Sequence, residues 1–221
     1  MGPLQARYPG MEALLGRDTR GQLLRGAAQA LASRGLRECS VEDILTASGF
    51  SRRTFYKLFR SKEDALEALF GGFTRLLVES VRLAVESQER PADRVIAAVD
   101  TFLELLELGG PLLLSLHAEA ISRGSGLAAH REYVLRELTD LLSEQVRAHL
   151  GVRVDPYVYR CLLLGMEGLV LAAGSRGELT AEERGRVRAA VLPVLLRSLA
   201  PSGVSLARLP VVPDVPPGDE G

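Results

Sequence analysis

The chain has 221 residues, 47% of them apolar and 5% aromatic, and its 27 Lys and Arg against 28 Asp and Glu give a formal net charge of −1. That is enough apolar material for a sizeable core, expected as a small headpiece plus one larger domain, and the near-zero total charge taken alone argues against a nucleic-acid partner. Few Val or Ile runs alternate at period two, so the expected class is all-α, and Cys39 and Cys161 lack any C-x-x-C spacing, which excludes a disulfide framework or a Cys-based metal site; no metal or cofactor is expected.

Residues 1–18 show no periodicity and read as a flexible N-terminus. The first helix follows: Thr19 and Gln22 have the spacing of a capping box, in which cap side chain and third helical residue satisfy each other's backbone N–H, and Leu24, Ala27, Ala28 and Leu31 recur at helical spacing until Gly35. Ser40 and Asp43 repeat the box, so a second helix begins at Val41 with Val41, Ile44 and Leu45 as its apolar stripe, and Gly49 can take the positive φ that ends it. Ser51 then caps a third helix, leaving Ser48, Gly49 and Phe50 as the turn. On a wheel at about 100° per residue, Arg52, Arg53, Tyr56, Lys57 and Arg60 share an arc of roughly 140°, with Phe55, Leu58 and Phe59 opposite. One face is therefore expected to enter a small core and the other to present cations and a phenol. Arg is suited to reading guanine in the major groove, Lys and Tyr to holding phosphates, and two short helices joined by a Gly turn are the sequence form of a helix-turn-helix. A solvated basic face is the alternative for the wheel by itself. Ser61 and Asp64 make a further box, so a fourth helix starts at Lys62, whose ammonium beside a positive helix end suggests an external anion such as phosphate.

Residues 19–66, about a fifth of the chain, resemble the DNA-binding headpiece of the tetracycline-repressor (TetR) family of bacterial transcription regulators through Ala28, Gly35, Ser40, Val41, Asp43, Ile44, Gly49, Ser51, Thr54, Tyr56, Phe59, Ser61, Lys62 and Glu63 in uninterrupted order. The resemblance implies that Ser40, Arg52, Arg53, Thr54, Tyr56, Lys57 and Lys62 lie at or near DNA, with Tyr56 and Lys62 on phosphates; Ser51, as cap, completes the candidate set. Two positions depart from the family pattern. Arg53 stands where a small residue is usual, adding a base or phosphate contact, and Leu58 stands where His is frequent, a packing change. Charge distribution agrees: residues 1–62 hold eleven Arg and Lys against five Asp and Glu, hence +6, and the rest of the chain is at −7. A basic headpiece on an acidic body steers DNA encounter whatever the total.

Beyond the helix from Lys62 to about Glu86, breakers predict helices over 91–108, 111–122 after the Gly109-Gly110-Pro111 stop, and 127–150 after a Gly124-Ser125-Gly126 link. Asp155 and Pro156 open another, lasting to about Ser175, and Thr180 with Glu183 caps the last, reaching Leu199 with a kink at Pro193. The expected domains are residues 19–62 for DNA binding and 63–200 for ligand binding and dimerisation, with a Pro-rich, disordered tail over 201–221. The Pro156 helix is apolar nearly all round, so it is either the centre of a monomeric core or also a subunit interface. The resemblance implies a homodimer through the last two helices, a palindromic double-stranded operator, and a small-molecule effector held among the middle helices. Polar residues set in apolar surroundings there are Ser115, His117, Glu119, Tyr133, Cys161 and Glu167, the candidate ligand contacts; Glu167, within MEGLVL, must be solvated, paired or neutral. A lining of Leu, Val and Ala favours an apolar effector. No G-x-S-x-G, P-loop, G-x-G-x-x-G or H-E-x-x-H occurs, so an enzyme is not expected. No leader pattern and no uncharged run of the ~18 residues a membrane span needs is found, giving a cytoplasmic expectation with no membrane partner. The reading is a DNA-binding regulator, a repressor released by its effector, against the alternatives of a helical protein-interaction module or a ligand-independent regulator.

Overall fold

A computed structural model describes residue 16 and residues 18–151, 153–174 and 179–198. The expected flexible N-terminus, apart from residues 16 and 18, the Pro-rich tail, and the expected helix ends at Ser175 and Leu199 lie outside the described residues. Among those described there are eight helices and no strand: α1 (Thr19–Arg34), α2 (Val41–Ser48), α3 (Arg52–Leu58), α4 (Lys62–Glu86), α5 (Pro91–Ile121), α6 (Ala128–Leu150), α7 (Pro156–Ala173) and α8 (Ala181–Ser198). The all-α class holds, with a small N-terminal helix-turn-helix headpiece and a larger helical body.

Most boundaries follow from local chemistry. Ser40 accepts from the Asp43 N–H at 3.2 Å while the Asp43 carboxylate accepts from the Ser40 N–H at 2.9 Å, and Gly49 ends α2 at φ 73°. Asp155 caps α7 from before Pro156, and Thr180 and Glu183 exchange backbone bonds ahead of α8. The box at α4 is shifted: Ser61 accepts from the Asp64 N–H, but the Asp64 carboxylate reaches one residue further back, to the Arg60 N–H at 2.8 Å. At α1 the cap is Asp18, not Thr19; its carboxylate accepts from the Gly21 N–H at 2.8 Å, an ionised acceptor displacing the adjacent hydroxyl. The expected break near 109–111 is a kink inside α5, where Gly110 takes φ 56° and ψ −158° and Pro111 restarts the helix. The helix α8 runs through Pro193 without interruption.

The headpiece core joins Leu23, Leu24 and Leu31 of α1, Ile44 of α2, Phe55 of α3 and Phe59 just beyond it. α1 packs on α2 and α4 and touches α5; α4 packs on α5 and α6, α7 on α6 and α8, and α8 on α5. At 25 residues α4 is about 37 Å long, so it carries the headpiece at one end and reaches the far end of the body at the other. α7 is the one described helix long and apolar enough to cross a membrane by length and composition, with mean hydropathy 1.2 and 28% of it buried. Its Arg160 and Glu167, however, are tied to α6 by two-pronged ion pairs with Glu132 and Arg131, which fix it as a member of the bundle.

Candidate functional site

In α3, Ser51 accepts from the Thr54 N–H at 3.2 Å and its hydroxyl lies 2.9 Å from that of Thr54, so both side chains are spent on the turn. Phe55 is fully buried, edge-on to Tyr56 and beside Phe59, and anchors the helix by burying a whole aromatic side chain, about 1.5–3 kcal/mol. Arg52, Arg53, Tyr56 and Lys57 are exposed on the other side. The wheel holds only as far as the helix does. α3 ends at Leu58, which is 40% exposed and not in the core as expected, and Arg60 lies beyond the helix and outside its face.

The candidate DNA contacts are not equally free. Arg52 is ion-paired across the turn with Glu42 of α2, whereas Arg53 and Lys57 have no ion pair among the described residues. The Ser40 hydroxyl donates to Asp43 at 2.6 Å. Lys62 is half-buried at the start of α4, its ammonium donating to the Leu36 carbonyl at 3.3 Å and 3.9 Å from Glu63. What remains fully presented is a compact patch of Arg53, Tyr56 and Lys57 flanked by the paired Arg52.

The body holds two adjoining cavities. The larger, about 270 Å³, lies among α4, α5, α6, α7 and α8, and all but three of its lining side chains are apolar. The smaller, about 30 Å³, shares Phe102, Leu138, Leu163 and Met166 with it and ends on His117, Arg131 and Glu167. There the buried Glu167 carboxylate accepts from Arg131 through both oxygens, from Nε at 2.6 Å, and sits 2.8 Å from Nε2 of His117. Burial alone would push this carboxyl up, but the bonds from His117 and Arg131 overcome that and hold it down to about 2. Glu167 is thus the paired one of the three states open to it.

Of the six candidate ligand contacts, His117 and Glu167 come together at a cavity wall. The other four line neither cavity: Ser115 bonds back to the Pro111 carbonyl, Glu119 is half-buried elsewhere, Tyr133 stacks on Arg136 and Cys161 is exposed on α7. The polar residues at the larger cavity are Arg94, Gln145 and His149, which sequence reasoning missed. A half-buried Arg in the first turn of a helix reads as a surface residue until its partners, 51 and 55 positions away, are known. On the outer side of α7 and α8, Tyr157, Val158, Leu164, Leu169 and Val194 are exposed, Tyr157 to 79%, and Gly165 and Gly168 have open space before them.

Residues 23–69 match the family described as bacterial regulatory proteins, tetR family. Over 88 residues, 40% of the chain, the sequence is 35% identical to the HTH-type transcriptional repressor KstR2 of Mycobacterium tuberculosis, and that match spans 44% of the repressor's length. Two solved structures share the fold over most of both chains. A TetR-family regulator from Syntrophomonas wolfei superposes with TM-score 0.67 at 17% identity, covering 84% of this chain and 96% of its own. The regulator FadR of Bacillus subtilis, solved in complex with stearoyl-CoA, superposes with TM-score 0.66 at 17% identity, covering 79% and 96%.

Proposed function

The chain belongs, through its headpiece, to the tetR family of bacterial regulatory proteins, and on that premise we propose that it is a dimeric, sequence-specific transcriptional repressor in the cytoplasm, released from its operator by a small, largely apolar effector. The observation that carries the DNA-binding part is the face of α3. Three unburied groups, Arg53, Tyr56 and Lys57, stand on a seven-residue helix whose other side is locked by the buried Phe55, so the patch is rigid and cationic. Such a helix enters the major groove, with Arg52 and Arg53 toward base edges, Tyr56 and Lys57 toward phosphates, and Ser40, Ser51, Thr54 and Lys62 bordering the backbone. Because Arg52 is already paired with Glu42, docking exchanges that pair for a DNA contact.

The exposed apolar side of α7 and α8 supports the dimer. Five large apolar side chains are exposed together there, the kind of surface that marks an interaction site, and its two bare glycines permit close approach of a second helix pair. Two headpieces related by a two-fold axis read a palindrome. The 270 Å³ cavity supports the effector, its apolar walls matching an apolar body, in keeping with the stearoyl-CoA held by the FadR of similar fold. Nothing in this reading calls for catalysis.

The test is selection of bound sequences from a random duplex library at near-physiological salt with the full-length protein. Enrichment of a palindrome is expected. A single unpaired half-site would remove the dimeric reader, and no enrichment from folded, dimeric protein would favour a helical protein-interaction module.

A further inference from the structure

The larger cavity is apolar except at one end, where Arg94 of α5 and Gln145 and His149 of α6 meet beside Pro91 and Ala92. Pro91, Ala92 and His149 are exposed, so this end opens to solvent, and it lies at the far end of α4 from the headpiece. The Arg94 guanidinium is half-buried there. It donates from Nε to the Gln88 carbonyl at 2.8 Å and from Nη1 to Gln145 Oε1, and Nη1 is also against His149 Nε2. An Arg N–H can only donate, so in this contact Nε2 of His149 is the acceptor.

These acceptors are a backbone carbonyl, an amide oxygen and an imidazole nitrogen, and none is a carboxylate. Body arginines such as Arg82, Arg131, Arg160 and Arg188 each have a carboxylate partner, while Arg94 has none among the described residues, and its neighbour Asp93 is taken by Arg90 at 2.6 Å. A cation half-buried at the rim of an apolar cavity without a counter-charge carries a desolvation cost that an anion relieves well. Its Nη2 has no hydrogen-bond partner among the described residues and remains available beside the cavity.

We infer that the cavity takes an amphipathic anion, with a slender apolar body inside and one carboxylate or phosphate-type group at the mouth on Arg94, flanked by Gln145 and His149. The inference rests on the effector reading of this cavity and adds the head group to it. Size sets the body: about 270 Å³ stands at the lower edge of the ~300–1,000 Å³ usual for ligand pockets, so an alkyl chain or small ring system fits while a nucleotide-sized head stays outside. Arg is the side chain suited to such a head, because its planar fork meets two anionic oxygens at once and stays charged at any working pH.

The experiment is calorimetric titration of the full-length protein with dodecanoate, dodecyl phosphate and dodecanol, each below its micellar range, repeated with Arg94→Met and Arg94→Gln. The expected result is that at least one anion binds about tenfold or more tightly than the alcohol, and that both variants narrow this gap to about twofold, chiefly by weakening the anion. The tighter anion identifies the head as carboxylate or phosphate. Equal binding of acid, phosphate and alcohol to the unsubstituted protein overturns the inference and leaves the apolar effector standing; that comparison does not depend on either variant folding. A preference that survives in both folded variants overturns the role of Arg94. Binding of none of the three to protein that still binds DNA removes the effector reading of the cavity, and this inference with it.

Discussion

Single residues decide how the headpiece holds together and what its face can do. Gly26 lies where α1 crosses α2, and a β-carbon there would stand 2.4 Å from Cβ of Ser48 and 2.9 Å from its Cα, a clash with backbone that no rotamer relieves. Gly26→Ala is accordingly expected to lower headpiece stability by about 1–3 kcal/mol despite the better helix propensity of Ala, and thermal unfolding checks it; an unchanged or raised midpoint would mean the two helices do not approach this closely. On the outer face the two unpaired cations divide the labour differently. Lys57→Ala should weaken binding by a similar factor on every sequence and reduce the slope of log affinity against log salt by about 1, while Arg53→Ala should flatten base preference at one operator position. Competition binding at several salt concentrations separates them, and a Lys57 variant that changed sequence preference with the salt slope intact would reverse the assignment. The side-chain inventory of this face was readable from spacing, but the Arg52–Glu42 pair and the exposure of Leu58 were not. The first depends on the crossing of two helices, and the second on α3 stopping two residues sooner than the wheel assumed.

Between helices, the contacts of Glu167 with His117 and Arg131 join α5, α6 and α7 at one buried point. The Glu167 carboxyl is held at about 2 against an ordinary 4.5. A depressed carboxyl stabilises the folded state above the unfolded value, and the contribution disappears as pH falls from about 4.5 toward 2; the shift corresponds to something on the order of 3 kcal/mol. Glu167→Gln leaves the half-buried Arg131 without its charged partner, so it should unfold at clearly lower denaturant at pH 7 and approach the unsubstituted protein near pH 2. Parallel losses at both pH values would show that packing rather than charge is at stake. Leu169, on the opposite face of the same helix, is an exposed side chain among open glycines, and Leu169→Glu is expected to turn a dimer into a monomer by light scattering while leaving helicity intact. A dimer that survives this change, and the same change at Leu164, would move the interface elsewhere. Helix ends were legible in the sequence wherever one residue supplied the cap, as at Ser40, Ser51 and Asp155, because cap chemistry spans only three or four residues. The sequence also marked Glu167 as needing a partner. It could not show Arg131 and His117 as those partners, nor bring Arg94 to Gln145 and His149, since these contacts are made only when helices remote in the chain are packed side by side.

At the scale of the whole molecule, the basic headpiece and the mouth of the cavity lie at opposite ends of α4, about 37 Å apart along its axis. Any influence of the cavity on DNA must pass through elements that touch both. α4 does, lining the larger cavity with Val81 and Val85, the smaller with Phe70, Phe73, Thr74 and Leu77, and packing its first turns on α1. α5 is the second route, because it lines both cavities, bends at Gly110 and also touches α1. A chain that fills the larger cavity presses on Phe102, Leu138, Leu163 and Met166, the wall shared with the smaller one, and behind that wall stand His117, Arg131 and Glu167. On the dimeric reading proposed above, α5, α6 and α7 are joined at that point and can shift together, and α5 would carry the displacement to α1 and so to the spacing of the headpieces. Thermodynamics makes this testable without knowing the path. If an occupant of the cavity weakens operator binding by some factor, operator must weaken binding of that occupant by the same factor. Titrating dodecanoate into the protein with and without a saturating amount of the selected palindrome should therefore show a loss of affinity equal to the loss of operator affinity measured in saturating dodecanoate, about 5–150-fold for ordinary coupling. A ratio of one in both directions would leave the cavity a binding site uncoupled from the headpiece, and unequal ratios would mean that the two measurements report different assemblies of the chain.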